Sequence, residues 1–333
     1  MKKFIAHIVP CMDIGGVEVA IYRSYQELNL EFDYRVFYVR RKGTLHCGQE
    51  PVWKLFYYLI CKEQHLDVAI TSLWWAHPFG WLLQISGASW IAFFHSSGYS
   101  HILDKVLLKW AWRNSPYRLI DSVATGATMG LNPMQAASLV PYVFPVRQLV
   151  VPWKLRDVDF IWTGRAATIK RIDLLMSFLS LAENYFGCGR VIIAIAGQVP
   201  DALAKFTQVS RWSIEIKQDL PNDDVLIALS RAKFYLLFSD HEGMSMSTVE
   251  AIQAGCIAVV RRVGEIPRYL DKSACIGISD DLLGTLKDVA LSTFAISQDL
   301  HAVDAMQTRA LHSIGKIPYY TTSLSIAIRS VLS

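Results

Sequence analysis

Two acids and two cations, each set in a short loop, are the residues whose types and spacing could do chemistry in this sequence. The acids are Glu242 and Glu250, with seven residues between them, within Ser239-Asp240-His241-Glu242-Gly243-Met244-Ser245-Met246-Ser247-Thr248-Val249-Glu250-Ala251. This segment follows an apolar run and opens a helix, so Glu242 is expected in a loop and Glu250 in the first helical turn, facing one crevice. The spacing Ser247-x-x-Glu250 also reads as a capping box, in which the carboxylate satisfies a free backbone N–H at the helix start. Glu242 has no such local role, and Gly243 beside it marks a tight turn. The cations are Arg165 and Lys170 in Thr163-Gly164-Arg165-Ala166-Ala167-Thr168-Ile169-Lys170-Arg171-Ile172-Asp173. They fall between a strand end and a helix start, beside free backbone donors. Arg can grip two oxygens and Lys supplies a compact point charge, a set suited to a diphosphate. The same run also reads as a solvated basic surface. A third element, Gly15-Gly16 after the first apolar run, would let backbone approach a phosphate, although glycine pairs are common in turns.

The elements that must position these residues alternate between strand-like and helix-length segments, the pattern of a mostly parallel sheet with helical crossovers. In the first half, strands are expected at 4–9, 34–39, 68–73, 90–94 and 119–124, with helices at 17–28, 52–62, 74–85 and 102–113. The rhythm breaks between Pro145 and Asp159, where Pro152 and a charged Arg156-Asp157 step suggest a hinge. After it come strands at 160–163, 191–196, 212–216, 234–238 and 256–260, and helices at 172–185, from Asn222, and at 248–254. Asn222 is a candidate cap, with Asp223 and Asp224 in the first turn. The expectation is an α/β chain of two Rossmann-like domains, 1–150 and 151–333, with the last helix packing back on the first. Ligands of such sheets gather at the carboxyl ends of the strands, here in a cleft between the domains.

Composition fits that plan. A chain of 333 residues, 52% apolar and 19% charged, has material for two cores and is unlike a disordered segment. The longest apolar runs are too short to span a bilayer, and the N-terminal run is too short for a signal peptide, so a cytoplasmic protein is expected. The six cysteines are scattered, which fits reduced thiols and neither a disulfide frame nor a zinc site. No cofactor and no metal site is expected. Asp157-Val158-Asp159 resembles a divalent-metal motif, but it precedes a strand and is read as a solvated hinge.

In order and spacing, these motifs resemble the retaining glycosyltransferases of family 4, which have the GT-B fold. Gly15-Gly16-Val17-Glu18 is similar to the family's glycine loop. Arg165 and Lys170, five positions apart, are similar to its diphosphate-binding pair. Glu242 and Glu250 match its carboxylate pair, and Gly255 with Val263-Gly264-Glu265-Ile266-Pro267 continues the pattern. The resemblance implies a nucleotide-diphosphate sugar as donor substrate, with the diphosphate on Arg165 and Lys170 and the ribose on Glu250. It places Glu242 near the transferred sugar and backbone N–H groups of Met244, Ser245 and Met246 at the sugar hydroxyls. His95, in Phe93-Phe94-His95-Ser96, matches the family's sugar-facing histidine, although a lone histidine after an aromatic strand is also a common structural residue. Met244-Ser245-Met246 departs from the usual Phe-Gly-Leu type of sequence, and the usual Pro-Asn-Gly segment is absent before the hinge.

The first half carries a hint about the acceptor. Residues 1–150 hold 14 Lys/Arg against 10 Asp/Glu and seven of the ten tryptophans, leaving 19 against 19 charges for the remainder. From His101 through Arg113, Leu103, Val106, Leu107 and Trp110 share one helical face and Lys105, Lys109 and Arg113 another. A basic amphipathic helix with aromatics reads as a membrane-surface element, or equally as core aromatics beside a solvated face. The membrane reading implies a lipid-linked or bacterial surface glycan acceptor, such as lipopolysaccharide, O-antigen or capsule. Nucleic acid is not expected as a partner, since the cations form no stripe. A sugar-nucleotide epimerase or hydrolase and a non-catalytic sugar-binding homologue remain alternatives. A nicotinamide enzyme does not, because Gly-x-Gly-x-x-Gly is missing after the first strand.

Overall fold

The computed structural model describes residues 2–13, 15–40, 43, 47–61, 65–95, 102–130, 137–146, 150–278 and 282–333. Lys62, Ser96 and His101, which belong to expected elements, lie outside the described residues. The chain divides into two compact units, one made of Met1–Tyr142 with Pro318–Ser333, the other of Val143–Ile317.

The first unit runs β1 (Phe4–Val9), α1 (Gly16–Glu31), β2 (Asp33–Tyr38), β3 (Glu50–Pro51), α2 (Val52–Ile60), β4 (Val68–Ser72), α3 (His77–Ile85), β5 (Ser89–Phe94), α4 (Ile102–Asn114), β6 (Tyr117–Ile120), α5 (Val123–Thr128) and β7 (Ala137–Leu139). Its sheet has the order β3-β2-β1-β4-β5-β6-β7, and every pairing is parallel. Every residue of β1 and β4 is buried, as expected of central parallel strands covered on both faces.

The second unit restarts with β8 (Val158–Arg165), α6 (Ile172–Phe186), β9 (Arg190–Ala196), α7 (Asp201–Val209), β10 (Ser213–Gln218), α8 (Asn222–Arg231), β11 (Ala232–Leu237), α9 (Met246–Gln253), β12 (Ile257–Arg261), α10 (Ile266–Tyr269), β13 (Ile276–Ile278), α11 (Leu282–Gln298) and α12 (Leu300–Ile314). Its parallel sheet has the order β10-β9-β8-β11-β12-β13. The chain leaves β8 for one edge through β9 and returns to β8's other side as β11, so the strand order reverses between β8 and β11. Phe178 and Trp212 pack edge to face on Phe160, and Phe234 lies tilted against it, in this unit's core. The final helix, α13 (Tyr320–Leu332), belongs to the first unit. There it buries Tyr320, Leu324 and Ile328, while Ser325 and Arg329 bond Glu31 of α1.

Several local expectations change. The strand expected at 119–124 ends at Ile120, because Ser122 accepts a hydrogen bond from the Thr125 N–H and starts α5. Asn222 is not a cap; Pro221 holds that position and no side-chain cap bond forms. Arg156 is no hinge charge. It is buried in the second unit, its Nε donating to the Val151 carbonyl at 2.9 Å, Nη2 to Ala254 at 2.8 Å and Nη1 to Ala232. Asp157 and Asp159 are not simply solvated: Asp157 pairs with Arg190 and Arg231, and Asp159 with Lys233. These pairs sit at the amino ends of β8, β9 and β11, the end opposite to the one where a parallel sheet binds ligands.

Candidate active site

In the second unit, three neighbouring strands, β8, β11 and β12, carry the candidate residues at their carboxyl ends. β8 ends on Arg165, which is exposed. A 3-10 turn, Thr168–Lys170, then brings the chain to Arg171, whose left-handed backbone (φ 49°) caps α6. β11 leads into the loop of Ser239 through Ser245, and β12 ends on Arg261.

The two loops singled out by residue type meet here. Lys170 Nζ donates to Glu242 Oε1 at 2.7 Å, with side chains 21% and 9% exposed. The Asp240 N–H donates to the Ile169 carbonyl at 2.9 Å, so backbone as well as side chains tie the loops together. Asp240 also accepts from Arg171 Nη1 at 3.2 Å and from Arg261 Nη1. A second lock comes from the glycine tail of the motif. Gly264 holds φ +61°, and a Cβ there would stand 2.0 Å from the Glu242 carbonyl oxygen; the Glu265 N–H donates to the Gly243 carbonyl at 3.2 Å. Only glycine permits that approach.

Glu250 is placed differently from the capping-box expectation. α9 begins at Met246, capped by Ser245 in a left-handed conformation (φ 54°) without a side-chain cap bond. Ser247 is therefore already helical, and its hydroxyl is bonded to the Tyr235 hydroxyl at 2.7 Å. Glu250 lies in the second turn, buried, out of register for the reciprocal cap. A buried carboxylate has to be held by hydrogen bonds or charge, and helix capping does not supply them here. Met244 and Ser245 are buried, Ser245 Oγ is bonded to Thr248 Oγ1 at 2.8 Å, and Met246 is half-buried at the start of α9. The uncapped first turn leaves backbone donors and the positive end of the helix dipole at this edge. Burial, with the Glu242 charge adding to it, raises the phenols of Tyr235 and Tyr269.

Gly15, Gly16 and His95 belong to the first unit. Gly15 caps α1 in an extended conformation, and a Cβ there would touch the Glu18 carboxylate, which folds back over the helix start. Next to Gly16 there is open space. His95 follows β5, its Nδ1 hydrogen-bonded to the Tyr142 hydroxyl and its ring stacked on Tyr142. Its Nε2 is sealed from solvent and has no partner among the described residues. Burial, with His7 and His77 nearby, holds the imidazole well below its usual range, so it is neutral. Sequence reasoning missed Arg261; a cation on the last residue of a strand, at the edge where ligands bind, was the available signal. Among the described residues no cluster of three His, Cys, Asp or Glu could hold a metal, and the six thiols are free.

No family model matches the chain. A GDP-mannose:cellobiosyl-diphosphopolyprenol alpha-mannosyltransferase of Komagataeibacter xylinus is 28% identical over 117 residues, 33% of this chain and 29% of that protein. The match thus spans less than a third of that relative's length. Among solved structures, sucrose-phosphate synthase of Thermosynechococcus elongatus superposes with a TM-score of 0.74 at 14% identity, over 99% of this chain and 98% of its own. Anabaena Alr3699/HepE in complex with UDP also gives 0.74, at 12% identity over 98% and 99%. The lipopolysaccharide outer core galactosyltransferase WaaB gives 0.63, at 18% identity over 98% and 99%. The fold is that of the GT-B glycosyltransferase structures.

Proposed function

We propose that this chain is a retaining, metal-independent glycosyltransferase of family 4 that moves a hexose from a nucleotide-diphosphate sugar to a lipid-linked or surface glycan. The observation that carries this reading is the Lys170–Glu242 contact at 2.7 Å, which joins the two motif loops at the carboxyl ends of β8 and β11. Lys170 spends one of its three N–H donors on Glu242, leaving two for phosphate oxygens, and exposed Arg165 offers a bidentate fork for the same group. Charge that builds on the departing diphosphate is stabilised by these cations and by the uncapped start of α9. Glu250 would accept from the ribose hydroxyls, and Glu242 would orient the sugar together with the amides of Met244 to Met246. His95, carried over from the resemblance as a sugar-facing group, is neutral.

No side chain is needed as nucleophile if the acceptor hydroxyl attacks from the face the leaving group departs. The hydroxyl proton then passes to the departing phosphate oxygen, and the anomeric configuration is retained. A diphosphopolyprenol acceptor in the Komagataeibacter relative and a lipopolysaccharide core acceptor for WaaB support a glycan or lipid-linked acceptor. UDP in the HepE structure supports a nucleoside-diphosphate donor.

The experiment is a thermal-shift screen against UDP, GDP, ADP and CMP sugars, followed by transfer assays with the stabilising donor and NMR assignment of the product anomer. A donor at a hundred times its Kd should stabilise the chain by about 2.7 kcal/mol. Release of nucleotide that depends on acceptor, with the donor's anomeric configuration in the product, is the expected result. Equal release without acceptor would point to an epimerase or hydrolase instead, and no shift with any donor would end the proposal.

A further inference from the structure

The outer side of one helical layer in the first unit is apolar as well as the inner side. The crossovers from β3 to β4, β4 to β5 and β5 to β6 all step the same way along the sheet, so right-handed connections put α2, α3 and α4 on one face. Their inward residues are Val52 and Leu55 of α2, Leu83 of α3, and Leu108 and Ala111 of α4. Of the two readings of α4, a membrane-surface stripe or core aromatics, the second would bury Leu103, Val106, Leu107 and Trp110. Instead the helix is anchored by Asp104, Leu108 and Ala111, and Ile102, Leu103 and Val106 are 80%, 63% and 56% exposed. On α3, Trp81, Leu82 and Ile85 are exposed, and on α2, Trp53, Tyr57 and Ile60. Phe56 against Phe79 joins α2 to α3, and Trp81 edge-on to Trp110 joins α3 to α4. Between α3 and α4 an open groove of about 350 Å³ is lined by Pro78, Trp81, Val106, Leu107 and Trp110.

Single exposed apolar side chains are ordinary, but such a cluster on neighbouring helices marks an interaction surface. Charge selects the partner. Among the described residues of the three helices, Lys54, Lys105, Lys109 and Arg113 are the basic ones, and the single acid, Asp104, is buried. A second copy of the chain meeting this face through a two-fold axis would set the same cations against each other. An anionic lipid surface would not: Trp and aliphatic side chains enter the acyl boundary while Lys and Arg meet the phosphates. We propose that the α2–α4 face docks the first unit on an anionic lipid bilayer. The contact is interfacial, since α2 and α4 have 9 and 13 residues, too short to span the hydrocarbon core. A bilayer-borne acceptor, as proposed above, gives such docking a purpose. Docking is nevertheless read without donor or acceptor, so its failure and the failure of the transferase reading are separate results.

The test is cosedimentation of the whole chain with vesicles of phosphatidylcholine, with and without phosphatidylglycerol, at low and high salt. The chain should pellet with the anionic vesicles at low salt and be released by salt. Replacing Lys105, Lys109 and Arg113 together by Gln should lower the partition coefficient about a hundredfold. Ile85→Ser with Leu103→Ser and Val106→Ser should also lower it, by roughly tenfold or more. These positions are exposed, and unchanged circular dichroism and melting of the variants separate docking from folding. A chain that stays in the supernatant with both vesicles, or a Gln variant that partitions like the original, overturns the proposal. So does a chain that ignores vesicles but self-associates, and becomes monomeric when the three apolar residues are changed.

Discussion

Lys170 and Glu242 lie 72 positions apart yet share a hydrogen bond, so each fixes the other's reach. Removing the ammonium with Lys170→Ala takes away a donor placed for developing phosphate charge, and kcat should fall by about 10²–10³. Glu250→Gln keeps the shape and loses the charge. If the residue holds ribose hydroxyls, donor affinity should weaken about tenfold, with kcat nearly kept. Transfer assays and donor titrations on both variants read this contrast, and a similar fall in kcat for the two would dissolve the assigned roles. Lys170 and Glu242 were legible as candidates because residue type and spacing drew attention to their two loops, and their contact joins those loops. Asp240, Arg171 and Arg261 were not legible as a set, because only the adjacency of β8, β11 and β12 brings positions 171, 240 and 261 to one edge. Glu250 was misread locally for a related reason: the spacing Ser247-x-x-Glu250 is a cap only if the helix starts at Thr248, and it starts two residues earlier.

Among the elements, the long apolar runs were read correctly as central strands, since a strand buried on both faces needs no alternation. The short edge strands β3, β7 and β13, of two or three residues, carry too little pattern to be seen. Arg156 illustrates a deeper limit. Its charge suggested a hinge, but its guanidinium ties together the segment before β8, the start of β11 and the end of α9 by donating to three carbonyls. Burial lowers its pKa, and the carbonyls offset part of that cost. Arg156→Ala would leave buried acceptors without a donor and should destabilise the second unit by about 3 kcal/mol or more. Urea unfolding checks this, and Arg156→Lys should recover little, because a point charge cannot reproduce the planar fork. A loss below about 1 kcal/mol would mean that water replaces the side chain at no cost.

At the scale of the whole molecule the two units should answer acid differently. His7 and His77 are pushed down to about 3 by burial, and His95 is also held well below its usual range. Above about pH 6.5 the imidazoles are neutral both folded and unfolded and contribute nothing to the pH dependence. As pH falls below that value the unfolded chain binds protons that the folded unit refuses, costing up to about 1.4 kcal/mol per pH unit for each histidine. Calorimetry between about pH 7 and pH 5 should therefore show the first unit's transition falling steeply and the second's much less. A slope that His77→Gln leaves unchanged would contradict the burial of that ring. The two-sheet plan was legible from alternating elements, and the last helix was expected to pack on the first domain, but its partners Phe93, Tyr142 and Glu31 were not legible. That return reverses the order in which the chain can be completed during synthesis. Everything the second unit needs has emerged from the ribosome once Ile317 is clear, while the first unit, begun earlier, stays open along α1 until the final turns of α13 arrive. The later-made unit can close first, and a nascent chain stalled before Tyr320 would present one finished body and one still lacking a wall.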